Sequence, residues 1–231
     1  MEIDILSLFP EYFTGPFDVS MIKKAREKGI LTIHLRDIRD FGEGKHRRVD
    51  DRPFGGGPGM VLMPKPVSES IRSVKKEDSY VIYLSPQGTL LNAAVCERLA
   101  KKPHLILVCG HYEGLDQRVI EKEVDEEISI GDYVLTNGCI AAIALLDAVG
   151  RFVPGVLGHE AAAAHDSFQE GIFESPQFTR PVDFEGMRVP DELRSGNHAL
   201  IQKWQRQEAL KKTYRVRPDL ISGSFKGEKN E

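Results

Sequence analysis

Long apolar runs, phosphate-loop signatures and paired cysteines are all missing from this chain. The longest uninterrupted apolar stretch runs from Cys139 to Leu146 and stops at Asp147, far short of the ~20 residues that span a bilayer. Acids at Glu2 and Asp4 stand where a signal peptide would carry basic residues, so none is read there. Cysteines number only three, Cys96, Cys109 and Cys139, without CxxC spacing. They read as core residues of a reducing compartment, and the expected location is the cytoplasm. With a formal net charge of −4, no global positive field advertises nucleic acid, although a local basic patch can still hold phosphates. No GxxxxGK[ST] occurs, and no GxGxxG follows a first strand, leaving P-loop and dinucleotide sites without support. The seven histidines form no HxxxH pair. Glu113 beside His111 is a weak metal signal, so His111 is better read as structural.

What is present suits an ordinary folded protein. Hydrophobic residues make up 41% of the 231 and charged ones 29%, enough for one or two cores. Short apolar runs predict strands at Ile3 to Leu8, Leu31 to Leu35, Tyr80 to Leu84, His104 to Cys109 and Glu127 to Ile130. Helical patterns lie at Met21 to Lys28, Asn92 to Lys101 and Gly138 to Val149. Strands alternating with helices argue for an α/β domain with a largely parallel sheet. The small-residue stretch "HEAAAAHDS", from His159 to Ser167, reads as a linker. Beyond it no strand runs are seen, and one long helical pattern from Asn197 to about Thr213 carries many Lys and Arg. The expected division is residues 1–158, a linker over 159–169, and a small helical domain over 170–231.

Three strand ends share a character. "YLSPQG" after Tyr83, "CGHYEG" after Leu107 and "SIGDYVLTNG" after Ile128 each pass from apolar strand to glycine-containing turn. Ligands of open α/β sheets bind outside the carboxyl ends of the strands. Converged, these loops would form one pocket rich in backbone donors and acceptors, suited to a neutral or zwitterionic adenine cofactor rather than a triphosphate. The long segment from Arg39 to Gly59 ends in "GGGPG". Pro58 removes a backbone donor, so this reads as a tightly turned loop touching a partner more than a phosphate cradle. Asn137 reads as the N-cap of the apolar helix. Asp166-Ser167 reads either as a catalytic carboxylate or as the opening of a short helix.

These motifs resemble a known family. "DDRPFGGGPGM", "LSPQG", "CGHYEGLDQR", "DEEISIGDYVL", "LLDAVGRFVPGVLG", "DSFQEG", "QFTRP", "VPDELRSGNHALIQKW" and "RPDL" stand in the order and spacing of the bacterial tRNA (guanine-N1)-methyltransferases of the SPOUT class. The resemblance covers nearly the whole chain. It implies a parallel-sheet domain with a deep trefoil knot, a small C-terminal helical domain, and a homodimer whose active site is shared between subunits. It implies S-adenosylmethionine (AdoMet) as methyl donor, Mg²⁺ as a companion ion, and N1 of the guanosine beside the tRNA anticodon as acceptor.

Transferred position by position, the resemblance gives Tyr83, Leu84, Ser85 and Pro86 to one wall of the AdoMet pocket. Gly110, Tyr112 and Glu113 form the second, and Ile130, Gly131, Asp132, Tyr133, Val134, Leu135 and Gly138 the third. It assigns catalysis to Asp166 and Arg151, and target-guanosine contacts to His46, Asp50 and Arg52. The chemistry fits these types. A carboxylate can remove the N1 proton, and a guanidinium can stabilise the charge that then develops on O6. The sequence departs from the family pattern at His111, where Arg is usual, and at Asn137, where Gly is. Cys139 stands where Glu is common and Phe54 where Tyr is. A related SPOUT enzyme acting on another RNA, or a non-catalytic RNA- or AdoMet-binding protein, is an alternative reading at this point.

Overall fold

The computed structural model describes residues 1–158 and 166–224, which fall into two compact units divided at 158/159. The alanine run and most of the expected linker, residues 159–165, lie outside the described residues.

In the first unit the elements follow the order β1 (Glu2–Ser7), α1 (Ser20–Glu27), β2 (Thr32–Asp37), β3 (Asp50–Asp51), β4 (Val61–Leu62) and α2 (Pro64–Val74). β5 (Ser79–Leu90), α3 (Ala93–Ala100), β6 (His104–Cys109), α4 (Gln117–Glu123), β7 (Glu126–Ser129) and α5 (Cys139–Gly150) complete it. Five strands form one parallel sheet in the order β2-β1-β6-β5-β7. Every residue of β6 is buried, because helices cover both faces of the sheet. Leu105, Leu107 and Cys109 point into one core with α1, α3 and α5, while Ile106 and Val108 point into a second with α2 and α4. This two-sided burial is why the strands read as continuous apolar runs rather than alternating ones.

All five expected strands form, each within a few residues of its predicted bounds. β5 runs on to Leu90, because beyond a break its far end pairs again with β7 through Thr89 and Leu90. In this unit two helices escaped the sequence pattern. α2 has prolines in its first turn, tolerated there because those N–H groups lack helical partners, and they disguised the Val67-Ile71-Val74 stripe. α4 is short and mostly charged, and only its Asp116 cap marks it. The 39–59 segment is also less irregular than expected. Glu43 bridges Arg48, and β3 pairs antiparallel with β4.

The second unit contains β8 (Asp183–Phe184), β9 (Met187–Arg188), α6 (Asp191–Arg194), α7 (His198–Val216) and α8 (Pro218–Ser224). The β8–β9 hairpin corrects the expectation of no strands here. Its two-residue turn, Glu185-Gly186, has both residues at positive φ, as a tight hairpin needs. Such short strands leave no periodicity to read. Asn197 caps α7 by accepting from the N–H groups of Ala199 and Leu200 at 3.1 and 3.3 Å.

Candidate active site

A cavity of about 400 Å³ opens at the carboxyl ends of β5, β6 and β7, within the size range of small-molecule sites. Of the residues expected there, Tyr83, Leu84, Ser85, Pro86, Gly110, Tyr112, Glu113, Ile130, Gly131, Tyr133, Val134, Leu135 and Gly138 line it. Asp132 is not among the lining residues. The residues assigned to the pocket from sequence did not include Gln117 and Glu127, which also line it. Glu127 belongs to β7 itself, and no turn signal marks it.

The walls approach at van der Waals limits. The Gly138 N–H donates to the Gly110 carbonyl at 2.8 Å. A Cβ on Gly138 would sit 3.0 Å from the Cys109 Cα and the Gly110 nitrogen, so a side chain there would push two walls apart. Tyr83 is buried beneath the middle wall, and burial pushes its hydroxyl up to about 12. Gly114, at φ +107°, would bring an added Cβ to 2.9 Å from that hydroxyl. The Met60 carbonyl accepts from the Glu113 N–H at 2.9 Å, and the Gly114 carbonyl from the Leu62 N–H at 2.9 Å. The far end of the glycine-rich segment is thus docked on this wall.

Electrostatics restrict what the cavity takes. Among the described residues its lining includes Glu113 and Glu127 and no lysine or arginine. A triphosphate would find no counter-charge, whereas a ligand carrying a sulfonium or ammonium would. The long glycine-containing loops offer backbone hydrogen bonds in place of charged side chains.

His111 lines the cavity from its floor and is buried there. Its ring meets Phe9 edge-on at 5.1 Å, and its Nε2 lies 3.8 Å from the Cys139 Sγ. Cys139 also lies 3.1 Å from the Ser7 hydroxyl. The Cys139 thiol is drawn down to about 5 by its hydrogen bond with Cys109, with His111 and Ser7 adding to this against burial. Burial holds Cys109 well above its ordinary value. Two positions that depart from the family pattern, 111 and 139, are therefore neighbours in space. Asn137, a third, accepts from the Cys139 N–H at 2.9 Å, while Gly138 takes the N-cap position itself.

Other expected residues lie elsewhere. Asp50 is half-buried in β3, and His46 and Arg52 are exposed on the flanking loop segments. Arg151 is the exposed C-cap of α5. Asp166 is half-buried in the second unit and opens a run of turns rather than a helix. Among the described residues the one group with metal-ligand proximity is Glu2, Asp4 and His104. It lies at the opposite, amino-terminal ends of the strands, and its charges are already met. Arg36 pairs with Asp4, Lys76 with Glu2, and the Ser79 hydroxyl with the His104 Nδ1. This is an internal ion-pair network.

Comparison with known proteins gives a consistent picture. The family of the tRNA (guanine-1)-methyltransferase TrmD matches residues 1–223. A tRNA (guanine-N(1)-)-methyltransferase of Protochlamydia amoebophila (strain UWE25) is 64% identical over 222 residues, 96% of this chain and 100% of that protein. A protein of the same name from Dictyoglomus turgidum is 58% identical over 221 residues, 96% of this chain and 90% of its own. One from Chlamydia pneumoniae is 57% identical over 220 residues, 95% of this chain and 61% of its own.

Proposed function

The chain belongs to the tRNA (guanine-1)-methyltransferase family, and from that premise we propose how its cavity and its separate basic and acidic residues divide the work. The protein is an enzyme that methylates N1 of guanosine 37 in tRNA. The observation that carries the cofactor reading is the cavity at the ends of β5, β6 and β7, lined among the described residues by two glutamates and no lysine or arginine. AdoMet, when bound, supplies an electrophilic methyl on a positively charged sulfur, which Glu113 and Glu127 favour electrostatically. Backbone groups of residues 83–86, 110–114 and 130–138 would hold the adenine and ribose. Tyr83, locked beneath Gly110 and Gly114, keeps the middle wall rigid.

On the substrate side, the proposed roles rest on the family motifs. The Asp166 carboxylate takes the proton from N1, the step that makes this nitrogen nucleophilic. The Arg151 guanidinium stabilises the negative charge left on O6. His46, Asp50 and Arg52 contact the target guanosine and its neighbours, and the base must leave its stack to react. The docking of residues 60–62 on the 113–114 wall supports this, since it ties the β3–β4 hairpin to the cavity.

The proposal includes a deep trefoil knot at the cavity loops, supported by the close approach of residues 109–111 and 137–138. It includes a homodimer. Ile140 is 46% exposed on α5, whose one charged residue is Asp147, and the helix packs against the Pro10–Phe13 turn, where Tyr12 is also exposed. Such an apolar surface suits a second copy of the chain. Residues 170–231 are proposed as a tRNA-binding domain behind a linker over 159–169. Mg²⁺ is proposed as companion ion on the strength of the family motifs alone. The proposed location is the cytoplasm; no helix among the described residues is long and apolar enough to cross a membrane. The test is incubation of tRNA with labelled AdoMet, followed by mass spectrometry of the nucleosides. Label in N1-methylguanosine at position 37 is the expected result, and unlabelled guanosine there refutes it.

A further inference from the structure

A groove of about 310 Å³ runs between α2 and α4, on the sheet face away from α5. Its lining includes Lys65, Arg72, Arg118 and Lys122, with Glu69 as the one carboxylate. On a protein of net charge −4, this is a local reversal of sign. The spacing is helical: Lys65 and Arg72 lie two turns apart on α2, and Arg118 and Lys122 one turn apart on α4. Each helix therefore presents a column of positive charge to the same groove.

The internal partners of these cations do not cancel that field. Arg72 pairs with Glu123, but the carboxylate side chain is 7% exposed and the guanidinium 52%. Arg118 pairs with Asp116 at 2.7 Å, with the acid 20% exposed and the arginine 71%. Lys65 is 61% exposed against 35% for Glu43, 3.4 Å away. In every pair the acid is the more sunken partner and the cation faces water. The carboxylates thus fix the bases of the columns and leave their outer faces free to meet an anion.

Position then narrows the anion. α4 begins at Gln117, which lines the cavity, and α2 begins two residues after Leu62, whose N–H donates to the Gly114 carbonyl of the cavity wall. Both helices start at the reactive end of the sheet, so the groove leads away from it. The β3–β4 hairpin, with Asp50 and the exposed tip around Phe54, joins directly to α2. A polyanion whose one base enters the cavity would continue along this groove.

Resting on the reading of the chain as a tRNA methyltransferase, we propose that the α2–α4 groove is a second phosphate-binding track for the RNA substrate, on the sheet unit itself and additional to the basic C-terminal helix. Lys65 and Lys122 are the residues to change, since they take no part in the buried Arg72–Glu123 pair.

The experiment compares wild type with Lys65→Ala/Lys122→Ala in tRNA titrations across a range of salt. Each cation withdrawn from a phosphate lowers the slope of log K against log salt by about 1. The expected result is a slope shallower by about 2 and a tRNA Kd raised about tenfold at moderate salt. KM for tRNA should rise with kcat and AdoMet affinity unchanged. The charge-preserving Lys65→Arg/Lys122→Arg variant should restore binding, which a misfolded alanine variant cannot imitate. A double alanine variant with wild-type melting temperature, Kd and salt slope overturns the proposal and leaves the groove to another partner. If the wild type binds tRNA but transfers no methyl group, the functional reading fails instead, and the titrations still judge the groove.

Discussion

In the sheet unit, all six residues of β6 are enclosed between two helical layers, whereas in α7, three times as long, only Ala209 and Thr213 are buried. The sheet unit makes its cavity from backbone: Gly138 against Gly110, and Gly114 over Tyr83. The second unit holds itself together more sparingly. The Thr213 hydroxyl donates to the Ala209 carbonyl and accepts from the Phe173 N–H, both at 2.8 Å, and Phe178 packs edge-on to Trp204 at 6.1 Å. Phe184, Met187 and Tyr214 stay largely exposed. The lesson is one of tolerance. Where backbone meets backbone, a single added carbon does damage; where solvated side chains form a surface, single changes are mild unless the residue takes part in chemistry.

Asp166→Ala is the sharpest challenge to that contrast, because it removes a group from the tolerant unit. The expected fall in kcat is about 10²–10⁴-fold, the usual contribution of a positioned general base, with AdoMet affinity and melting temperature unchanged. A normal kcat would return Asp166 to a structural role.

Gly138→Ala should have the next largest effect. The added methyl meets the Cys109 Cα and the Gly110 nitrogen, neither of which can swing aside, and overpacking of this kind costs about 1–3 kcal/mol. The melting temperature should fall, and AdoMet Kd, read by calorimetry, should rise about tenfold or more. Gly114→Ala should behave similarly, through its positive φ and the Tyr83 hydroxyl. An unchanged Kd would show that the walls can part without loss.

The buried thiols give a pH signature confined to the sheet unit. Cys139 is depressed from 9.0 to about 5 in the fold. Its stabilisation is therefore complete above the ordinary thiol value and is lost as pH falls toward about 5. Cys109 is raised instead, so it weakens the fold only as pH climbs past the ordinary value. Stability of the wild type should rise from about pH 5 to about pH 9, and Cys139→Ser should flatten that rise, as followed by denaturant melts and thiolate absorbance. An identical pH profile in the two proteins would remove the thiolate from the account.

Lys203→Ala, on the exposed face of α7, is expected to do least. Removing this one cation should lower the salt slope of tRNA binding by about 1 and leave kcat alone. A slope equal to that of the wild type would leave Lys203 as a solvated surface residue.

Much of this was legible from residues alone where one physical signal dominated. Burial on both faces made the strands of the sheet continuous apolar runs, and glycine marked the three strand ends that form the cavity. Asn197 announced the start of α7. Signals that pull in two directions hid the rest. Pro64 and Pro66 masked α2, and the charge of α4 masked a helix whose polar face borders a groove. Glu127 looked like an ordinary strand residue, because nothing local says that its side chain faces a cavity.

His111 shows the division most clearly. By spacing it gives only a weak metal signal and reads as structural, and by family it is a departure from Arg. Only folding reveals that it packs at the cavity floor against Phe9 and beside Cys139, 28 positions away in sequence. The sequence by itself determined the α/β class, the family and the turn residues of the cavity, since these depend on local pattern and backbone freedom. The tertiary structure alone decided which loops touch, that Cys109, Cys139 and His111 share one buried cluster, and that cations from α2 and α4 line a common groove. Those depend on contacts between distant segments, whose proximity is set by packing rather than by any local preference.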